Sequence, residues 1–365
     1  MTPLGAILAR RIALEGPVSV AEYMAMALGH PEHGYYATRD PLGAAGDFTT
    51  APEVSQVFGE LLGLWLVDRW NAAGRPGAVD LVELGPGRGT LMADALRAAR
   101  LVPAFGAAAR VGLVETSPVL RRAQAAALAG LAEPRWLDTL GDLAEADPPR
   151  PLFLVANEFF DALPVRQFVA TGQGWRERMV ALDPDGERLV FGLGPANPGG
   201  IALIDPAVRA TAAEGAVVET RPAALAVMAE IARRVSVGGG AALIVDYGHA
   251  THAAGDTLQA VRRHAYADPL DAPGEADLTA HVDFAALAAA AREAGAVVAG
   301  PVEQGTFLRD LGIEARAAAL TRARPDRAET IAASVARLTG PEAMGRLFKA
   351  MAVLPAGEES APPGF

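Results

Sequence analysis

The stretch VDLVELGPGRGTL, from Val79 to Leu91, decides the fold of this chain. Its first half alternates β-branched and other apolar residues closely enough to predict a buried strand. Its second half is a glycine-rich turn, and a helical pattern follows from Leu91 to Arg100. Gly85, Gly87 and Gly89 permit positive φ and a close approach of the backbone to a ligand, and the start of the helix offers unpaired N–H groups. The stretch therefore predicts a strand, a ligand-binding loop and a helix.

The spacing of these glycines narrows the class of ligand. A nicotinamide or flavin loop requires G-x-G-x-x-G, whereas the sixth position here is Thr90, and the Gly-Lys-Ser/Thr ending of a Walker loop is also absent. What remains is acid-x-G-x-G-x-G, with Glu83 as the acid. This pattern resembles the first motif of class I S-adenosylmethionine (SAM) methyltransferases, in which an acidic side chain suits the cationic amino acid end of SAM. A glycine loop alone is a weak signal, and a tight turn without a ligand is the alternative.

Composition excludes several classes of function. The net charge of −11 argues against a nucleic-acid partner, which would require a broad cationic surface. The chain contains no cysteine, so disulfides, thiolate zinc sites and a cysteine nucleophile are excluded. Its six histidines are scattered, and no metal site is predicted.

The apolar residues are distributed as in a globular protein. They make up 51% of the 365 residues, which is enough for one large domain or two ordinary ones. No apolar run approaches the length of about 20 residues that a membrane span needs, and the N-terminus lacks a signal-peptide core. We therefore expect no membrane insertion and a cytoplasmic location.

The N-terminal segment predicts helices rather than part of the central sheet. Its first apolar residues recur at helical spacing. Ser19 and Glu22 then form a capping box for a second helix, Val20 to Leu28, and a further helix is predicted from about Val54 to Trp70. We expect residues 1–75 to form a helical N-terminal cap with a lid loop.

The loop between these helices is dense in glycine, proline, aromatic residues and small hydroxyls. The segment Gly46–Glu60 has this composition, which is typical of an ordered irregular loop, and its second half enters the helix predicted from about Val54. Such loops often line sites, although a structural Ω-loop capped by Thr50 or Pro52 is the alternative. If the loop lines a site, we expect Gly46–Gln56 to fold over the ligand.

Acidic residues follow the next two strands. Arg110 to Glu115 predicts the second strand of the sheet, and its terminal Glu115 lies where a carboxylate can accept both ribose hydroxyls of a nucleoside. A surface glutamate is the alternative interpretation. Residues 135–137 predict a short third strand, and Asp142 follows at the position of an acid that meets adenine.

A fourth strand, Pro151 to Ala156, runs directly into Asn157 and Glu158. An uncharged strand that ends abruptly in two polar residues places them at the carboxyl edge of the sheet, opposite the reacting end of a ligand held by the glycine loop. Asn157 and Glu158 are therefore candidates for a catalytic loop. The structural alternative is that Asn157 caps a helix while Phe159 and Phe160 are core residues.

Downstream of this strand, the apolar residues no longer recur at helical spacing but at every second residue. This alternation extends from Arg166 to Leu193, with a strong turn signal at Asp185-Gly186, so we interpret residues 165–220 as an inserted antiparallel β region. Strand and helix alternation then resumes. The expected fold is α/β, a doubly wound and mostly parallel Rossmann-like sheet within residues 76–350, followed by a flexible tail, residues 351–365.

Four segments together resemble the MidA family of SAM-dependent methyltransferases. They are GDFTTAPE (Gly46–Glu53), ELGPGRG (Glu83–Gly89), ANEFFDALP (Ala156–Pro164) and VDYG (Val245–Gly248). The resemblance extends over nearly the whole chain and is far more specific than the glycine loop alone. Mitochondrial members are complex I assembly factors that methylate an arginine of a core subunit. The resemblance thus implies a class I methyltransferase with SAM as cofactor and a protein, such as a respiratory complex I subunit, as partner.

The expected site has a cofactor part and a catalytic part. The residues expected to hold SAM are Glu83, Gly85, Gly87, Gly89, Glu115, Asp142, Thr49, Thr50 and Pro52. The residues expected to catalyse transfer are Glu158, Asn157 and Asp161, because a guanidinium stays charged and must be oriented by carboxylates. The double-glutamate loop of other arginine methyltransferases is echoed only in part, by Glu158 and Asp161. A small-molecule methyltransferase and a SAM-binding assembly chaperone without turnover are the alternatives.

Overall fold

The computed structural model describes residues 1–38, 49–144, 149–358 and 360–365, so that Gly46–Phe48 of the predicted lid lie outside the described residues. The α-helices in chain order are α1 (Pro3–Glu15), α2 (Val20–Gly29), α3 (Tyr35–Thr38), α4 (Ala51–Val54), α5 (Gln56–Ala72), α6 (Thr90–Ala99), α7 (Pro103–Ala108), α8 (Pro118–Ala127), α9 (Pro198–Ile201), α10 (Pro206–Thr211), α11 (Pro222–Gly238), α12 (Phe284–Glu293), α13 (Gln304–Asp310), α14 (Ile313–Ala323), α15 (Ala328–Thr339) and α16 (Met344–Leu347). Short 3-10 turns are formed by Leu140–Asp142 and Pro325–Arg327.

The strands in chain order are β1 (Val18–Ser19), β2 (Val79–Leu84), β3 (Ala109–Val114), β4 (Arg135–Leu137), β5 (Leu152–Asn157), β6 (Arg166–Thr171), β7 (Gly174–Leu182), β8 (Leu189–Leu193), β9 (Val217–Thr220), β10 (Gly240–His249), β11 (Gln259–Arg262), β12 (Ala265–Ala267), β13 (Asp277–Thr279), β14 (Val282–Asp283), β15 (Val297–Glu303) and β16 (Phe348–Leu354). The chain forms two compact units, each assembled from three segments. The first unit contains the described part of Met1–Phe48 with Asp161–Ala226 and Thr251–Asp283, and the second contains Thr49–Phe160, Val227–Ala250 and Phe284–Phe365.

The second unit is built on the predicted mostly parallel sheet. Its strand order is β15-β16-β10-β5-β2-β3-β4, in which β10, β5, β2, β3 and β4 pair in parallel and the β15 and β16 edge is antiparallel. From β2 the chain first moves outward to β3 and β4, then returns to β5 on the other side. The order reverses beside the carboxyl end of β2, which is where ligands bind in such sheets. The doubly wound α/β prediction is confirmed.

Close packing of α5 against α6 fixes the helix that follows the glycine loop. A Cβ added at Gly63 of α5 would lie 2.5 Å from the Cα of Ala95, so only glycine lets the two backbones approach this closely. Trp65 of the same helix is 1% exposed and belongs to the core cluster that includes Phe153 of β5. The start of α6 therefore has little freedom to move relative to the sheet.

The first unit combines the helices α1, α2, α3, α9 and α10 with antiparallel sheets. One sheet has the order β1-β7-β6-β9 with β8 paired to β7, and the other has the order β12-β11-β13. The predicted turn joins β7 to β8, with Gly186 at φ 73°. The predicted capping box at the start of α2 is also formed, because Ser19 and Glu22 exchange side-chain and backbone hydrogen bonds. The antiparallel character of the inserted region is confirmed.

The units divide the chain differently from the predicted boundaries. Helices α1 and α2 belong to the first unit, since their apolar stripe shares a core with the inserted strands, through Leu4, Tyr23 and Val180. Helix α5 belongs instead to the unit of the parallel sheet, so the three helices do not form one cap. The inserted unit is also larger than residues 165–220, because Leu278 and neighbouring residues of the segment 251–283 complete the same core.

The predicted flexible tail is corrected by the last strand of the sheet. Met351 and its neighbours up to Leu354 lie in β16, a buried strand between β15 and β10. Further on, the carbonyl of Pro363 accepts a hydrogen bond from the indole N–H of Trp65, 3.1 Å, and Phe365 packs on Phe307 with ring centroids 5.2 Å apart. The C-terminal residues are thus part of the packed structure, because burial of aromatic side chains and strand pairing hold them in place.

Candidate functional site

The glycine loop adopts a conformation that other residues would strain. Gly85, Gly87 and Gly89 have φ values of 60°, 53° and 83°. A Cβ at Gly85 would also lie 3.0 Å from the ring of Phe159. The loop leads directly into α6, whose first N–H groups have no helical acceptor, and the Gly85 N–H donates to the carbonyl of Val114 on β3, 3.1 Å. These features form an exposed-backbone cradle at the carboxyl end of β2.

Glu83 is a buried carboxylate, and no cation among the described residues is a cause of its pKa shift. Its side chain is 3% exposed, and its Oε2 has no hydrogen-bond partner among the described residues. Burial raises the pKa of Glu83 from 4.5 to about 8, and the Met92 N–H of α6 offsets only part of this effect. A cationic group bound beside this carboxylate would supply the missing charge. The amino group of the SAM methionine moiety has that chemistry.

Glu115 stands one residue beyond β3, at the same edge of the sheet. Its Oε1 accepts the Ser117 N–H at 2.8 Å, and its Oε2 accepts the side-chain amide of Gln124 at 3.2 Å. Burial raises the pKa of Glu115, while these hydrogen bonds lower it. Because Val114 pairs with Leu84 in the parallel register, the carboxylate lies next to the glycine loop, as the sequence predicts.

Asp142 behaves differently from the other predicted cofactor residues. Its Oδ2 accepts the backbone N–H and the hydroxyl of Thr139, at 2.8 and 3.0 Å, and closes a capping box on its own 3-10 turn. These hydrogen bonds lower the pKa of the exposed Asp142. The carboxylate thus already has a local structural use. Its contact with adenine stays a prediction.

The described part of the predicted lid bridges the two halves of the site. Thr50 is the N-cap of α4, Thr49 precedes it, and Pro52 is buried in its first turn. The Ala51 N–H donates to Oε1 of Glu158, 2.9 Å. At the other end of this short helix, Glu53 Oε1 accepts the hydroxyl of Thr90, 2.5 Å, and Arg88 of the glycine loop lies 3.8 Å from its Oε2.

The catalytic-loop candidates follow β5 without a helix. Asn157 is 7% exposed and donates its amide to Oε1 of Glu158, 3.2 Å, while its own Oδ1 has no hydrogen-bond partner among the described residues. Glu158 is half-buried and has a φ of 50°. A positive φ is uncommon outside glycine, and residues held in this way cluster at functional sites. No helix begins here, so the alternative in which Asn157 is a helix cap is wrong.

A buried aspartate on β10 shapes this loop. Asp246 is fully buried, and its Oδ2 accepts the backbone N–H groups of Phe159 and Phe160, at 3.1 and 2.9 Å. The Glu158 N–H donates to the carbonyl of Val245 in the preceding position, 2.9 Å. Three consecutive backbone N–H groups, those of Glu158, Phe159 and Phe160, are therefore held by Val245 and Asp246 within β10, and this fixes the unusual φ of Glu158.

The third catalytic candidate, Asp161, belongs to the first unit, whereas Asn157 and Glu158 belong to the second. Asp161 is 5% exposed, and its carbonyl accepts the Ala280 N–H at 3.0 Å. Together with Asp277, which accepts the hydroxyl of Tyr36 at 2.7 Å, it raises the pKa of this tyrosine, although burial of Tyr36 is the larger cause. Its part in catalysis stays a prediction.

Three residues that contribute to the site are not identifiable from the sequence pattern, namely Glu53, Gln124 and Asp246. Glu53 and Asp246 lie inside motifs that the sequence shows, but their partners are far away in sequence. Thr90 lies 37 residues from Glu53, and Phe159 and Phe160 lie 87 and 86 residues from Asp246. Gln124 is a single amide among alanines on α8, and its apolar surroundings, with Leu120 on the same helix face, are the only available signal. Within the described residues, no group of histidine and acidic side chains could hold a metal ion.

A glycine loop at the strand reversal, with a buried carboxylate on one side and a second acid after the next strand, is the arrangement of a class I SAM-dependent methyltransferase. In agreement, a family model described as an S-adenosyl-L-methionine-dependent methyltransferase matches residues 61–302. The chain belongs to this family, the MidA family recognised from its four motifs, and its cofactor is SAM.

Curated relatives and a solved structure extend this comparison. The chain is 40% identical to protein arginine methyltransferase NDUFAF7 of Mus musculus, over 97% of this chain and 85% of the relative. It is 38% identical to the same protein of Homo sapiens, over 97% of this chain and 84% of the relative. The crystal structure of a COG1565 superfamily member from Burkholderia thailandensis, bound to S-adenosylhomocysteine, is 32% identical with a TM-score of 0.84, covering 99% of this chain and 94% of that one.

These relatives also correct the expected location. The NDUFAF7 proteins are named as mitochondrial, which contradicts a cytoplasmic assignment. The expectation rests on the absence of a signal-peptide core and of an apolar span, and these features do not separate the cytoplasm from the interior of an organelle. Among the described helices, none has both the length and the apolar character that crossing a membrane requires.

Proposed function

We propose that this methyltransferase transfers a methyl group from SAM to an arginine side chain of a protein. The observation that carries the proposal is the placement of Glu158, a glutamate held at φ 50° at the end of β5, beside the strand that bears the glycine loop. The names of the relatives support the choice of arginine, since the chain is 38–40% identical to protein arginine methyltransferases over 94–97% of its length.

The chemistry of arginine explains why a carboxylate is needed. A guanidinium stays protonated at any working pH, and its charge is delocalised over three nitrogens. When bound, SAM supplies an electrophilic methyl on its sulfonium. A guanidinium nitrogen would form the new C–N bond as the S–C bond breaks, with the electron pair left on sulfur, and the proton lost from that nitrogen would pass to solvent water. In this proposal Glu158 pairs with the guanidinium and aims one nitrogen at the methyl.

The contacts of Glu158 support this role. Its Oε1 accepts the N–H of Ala51 and the amide of Asn157, which restricts the rotation of the carboxylate. Preorganised groups are the more effective because they need no reorganisation during the reaction. Asn157 is thus proposed to position Glu158, and Asp161 is proposed as a second carboxylate of the catalytic loop.

The cofactor residues are assigned by charge and position. We propose that Glu83 receives the amino group of SAM, because a buried carboxylate with an unbonded oxygen fits a cationic partner. Glu115 is proposed to accept the ribose hydroxyls, and Asp142 to face adenine. Thr49, Thr50 and Pro52 are proposed to cover the cofactor, with Gly85, Gly87 and Gly89 lying against it.

For the partner we propose a protein subunit of respiratory complex I, as the MidA resemblance implies. Two alternatives to this proposal differ in what accepts the methyl group, or in whether any group accepts it. A small-molecule methyltransferase would share every cofactor contact, and an assembly chaperone would bind SAM without turnover. The test must therefore identify what is methylated.

Incubation of the purified protein with methyl-labelled SAM and a lysate of the host, followed by mass spectrometry, makes this identification. Label on an arginine of a protein is the expected result, and a complex I subunit would support the proposed partner. Label confined to a small molecule would replace the proposal by its first alternative. Absence of transfer, with SAM bound in calorimetry, would favour the chaperone.

A further inference from the structure

Gln124 is a fully buried polar side chain that the reaction scheme above does not use. It lies on α8 between alanines, one helical turn after Leu120, on the face that packs inward. A buried amide of this kind has two N–H groups and a carbonyl oxygen to satisfy. Its partners therefore indicate what it stabilises.

The partners of Gln124 come from three separate parts of the fold. Its Nε2 donates to the carbonyl of Gly87 at 2.7 Å and to Oε2 of Glu115 at 3.2 Å, and its Oε1 accepts the indole N–H of Trp136 on β4 at 2.8 Å. The Gly87 carbonyl and the Glu115 carboxylate accept hydrogen bonds from the amide nitrogen, whereas the Trp136 indole donates one to the amide oxygen. The amide can therefore face only one way, and the indole fixes that orientation.

The backbone of α8 also lies directly against the glycine loop. A Cβ at Gly89 would lie 3.2 Å from the Cα of Gln124 and 3.5 Å from the Cβ of Ala127. The loop therefore rests on this helix at Gly89 and is hydrogen-bonded to it at Gly87. Movement of Gln124 would change the loop and the Glu115 carboxylate together.

We propose that Gln124 is a positioning residue for the cofactor: it holds the glycine loop and the Glu115 carboxylate in fixed relation, so that the ribose of SAM meets an acceptor that is already oriented. The inference rests on the proposed ribose role of Glu115. Burial raises the pKa of Glu115, and the Gln124 amide, after the Ser117 N–H, acts in the opposite direction. Preorganisation of this kind increases affinity by reducing the ordering that binding requires.

The test compares Gln124→Met, which keeps much of the volume but makes no amide hydrogen bonds, with Gln304→Met. Gln304 is a matched control, since it is also fully buried in the second unit and donates to the carbonyl of Leu338, outside the site. S-adenosylhomocysteine and its 2′-deoxyribose analogue are titrated calorimetrically into each full-length protein. A methyl-transfer assay supplies KM for SAM and kcat.

We expect Gln124→Met to weaken S-adenosylhomocysteine about 10-fold or more, the scale of a buried hydrogen bond to a charged group. Its preference for the ribose over the deoxyribose ligand should shrink, and KM should rise with kcat at saturating SAM within about 2-fold. Gln304→Met should lower thermal stability without changing affinity or preference. A Gln124→Met protein that loses stability but keeps wild-type affinity and preference would overturn the proposal, because Gln124 would then be structural only.

Two further variants keep the proposal falsifiable. Trp136→Phe removes only the donor that orients the amide, and it should reduce the ribose preference to a smaller extent even if Gln124→Met does not fold. An unchanged preference in Trp136→Phe would count against the proposed orientation of Gln124. Glu115→Ala tests the underlying assignment: if it binds both ligands as the wild type does, the ribose contact lies elsewhere and Gln124 cannot act through it.

Discussion

At the level of single residues, the proposed cofactor site of this methyltransferase contains a carboxylate whose burial costs stability. Glu83 is buried in the middle of the sheet with one oxygen unbonded within the described chain, and burial raises its pKa to about 8. A pKa that is higher by one corresponds to about 1.4 kcal/mol in favour of the protonated form. Such a group costs stability in the free protein, and binding a cationic ligand would offset this cost.

This cost predicts how the stability of the ligand-free protein depends on pH. The folded-state pKa of Glu83 lies above its ordinary value of 4.5. The contribution of Glu83 to stability is therefore fully present below about pH 4.5, where the side chain is neutral in both the folded and the unfolded protein. The contribution is lost as pH rises through about 8. Relative to wild type, Glu83→Gln should therefore gain a few kcal/mol of unfolding free energy between about pH 5 and 8. Urea unfolding across this range measures the difference, and parallel curves for the two proteins would contradict the buried charge.

The backbone of the glycine loop gives a second prediction at this scale. Gly85→Ala combines a φ of 60° with a Cβ position 3.0 Å from Phe159, so we expect a loss of about 1–3 kcal/mol in stability and a marked loss of SAM affinity. Gly77→Ala is the control, because an exposed glycine with open space around it tolerates a Cβ. Equal SAM affinity in the two variants would show that the loop does not contact the cofactor closely.

The predictability of single residues follows from the distance to their partners. The positions of Glu83 and Glu115 at the ends of β2 and β3 could be predicted, because the local pattern reveals where each strand ends. Gln124 and Asp246 could not be assigned, because their roles depend on groups brought near by folding: the Gly87 carbonyl for the first, and the N–H groups of Phe159 and Phe160 for the second.

At the level of helices and strands, α4 connects the start of α6, which follows the glycine loop, to the proposed catalytic loop after β5. Its Ala51 N–H donates a hydrogen bond to the Glu158 carboxylate, and its Glu53 carboxylate accepts one from the Thr90 hydroxyl. If this helix covers the cofactor, SAM should slow hydrogen exchange of the amides from Thr50 to Gln56, and Glu53→Gln should reduce that added protection. Slowed exchange in the glycine loop alone would make α4 a structural turn with no contribution to binding.

Asp246, within β10, acts on the neighbouring loop that we propose to be catalytic. Asp246→Asn removes the charge that holds the N–H groups of Phe159 and Phe160, and an unsatisfied buried group costs about 1–3 kcal/mol. We expect methyl transfer to fall about 10-fold or more while SAM affinity changes less than about 2-fold, since only the acceptor side is loosened.

Asp183→Asn is a matched control for this variant, because Asp183 also accepts two backbone N–H bonds, from Glu187 and Arg188, in a turn of the first unit. It should leave methyl transfer unchanged. A similar loss of transfer in both variants, or an equal loss of SAM affinity and transfer in Asp246→Asn, would contradict the specific role of Asp246.

At the scale of the whole molecule, the sequence predicts the parallel sheet better than the division of the chain. Strand and helix alternation and the motif at Val79–Leu91 are local signals, and the sheet follows from them. The first unit instead draws its core from three segments, in which Leu4, Val180 and Leu278 meet. No local pattern links residues so far apart in sequence. The C-terminal strand is unpredictable for the same reason, since pairing with β15 and β10 makes it part of the sheet.

In the proposed function, this SAM-dependent methyltransferase orients an arginine through Glu158. Glu158→Gln keeps the shape of the side chain but removes the charge that would pair with a guanidinium, and Glu342→Gln removes the charge of an exposed glutamate on the same unit. The measurement is methyl incorporation into protein arginine by both variants and the wild type, with SAM affinity determined in parallel. We predict that Glu158→Gln binds SAM normally but transfers methyl about 100-fold more slowly, while Glu342→Gln matches the wild type. Methyl incorporation by Glu158→Gln at the wild-type rate would contradict the proposed role of Glu158 in orienting the arginine.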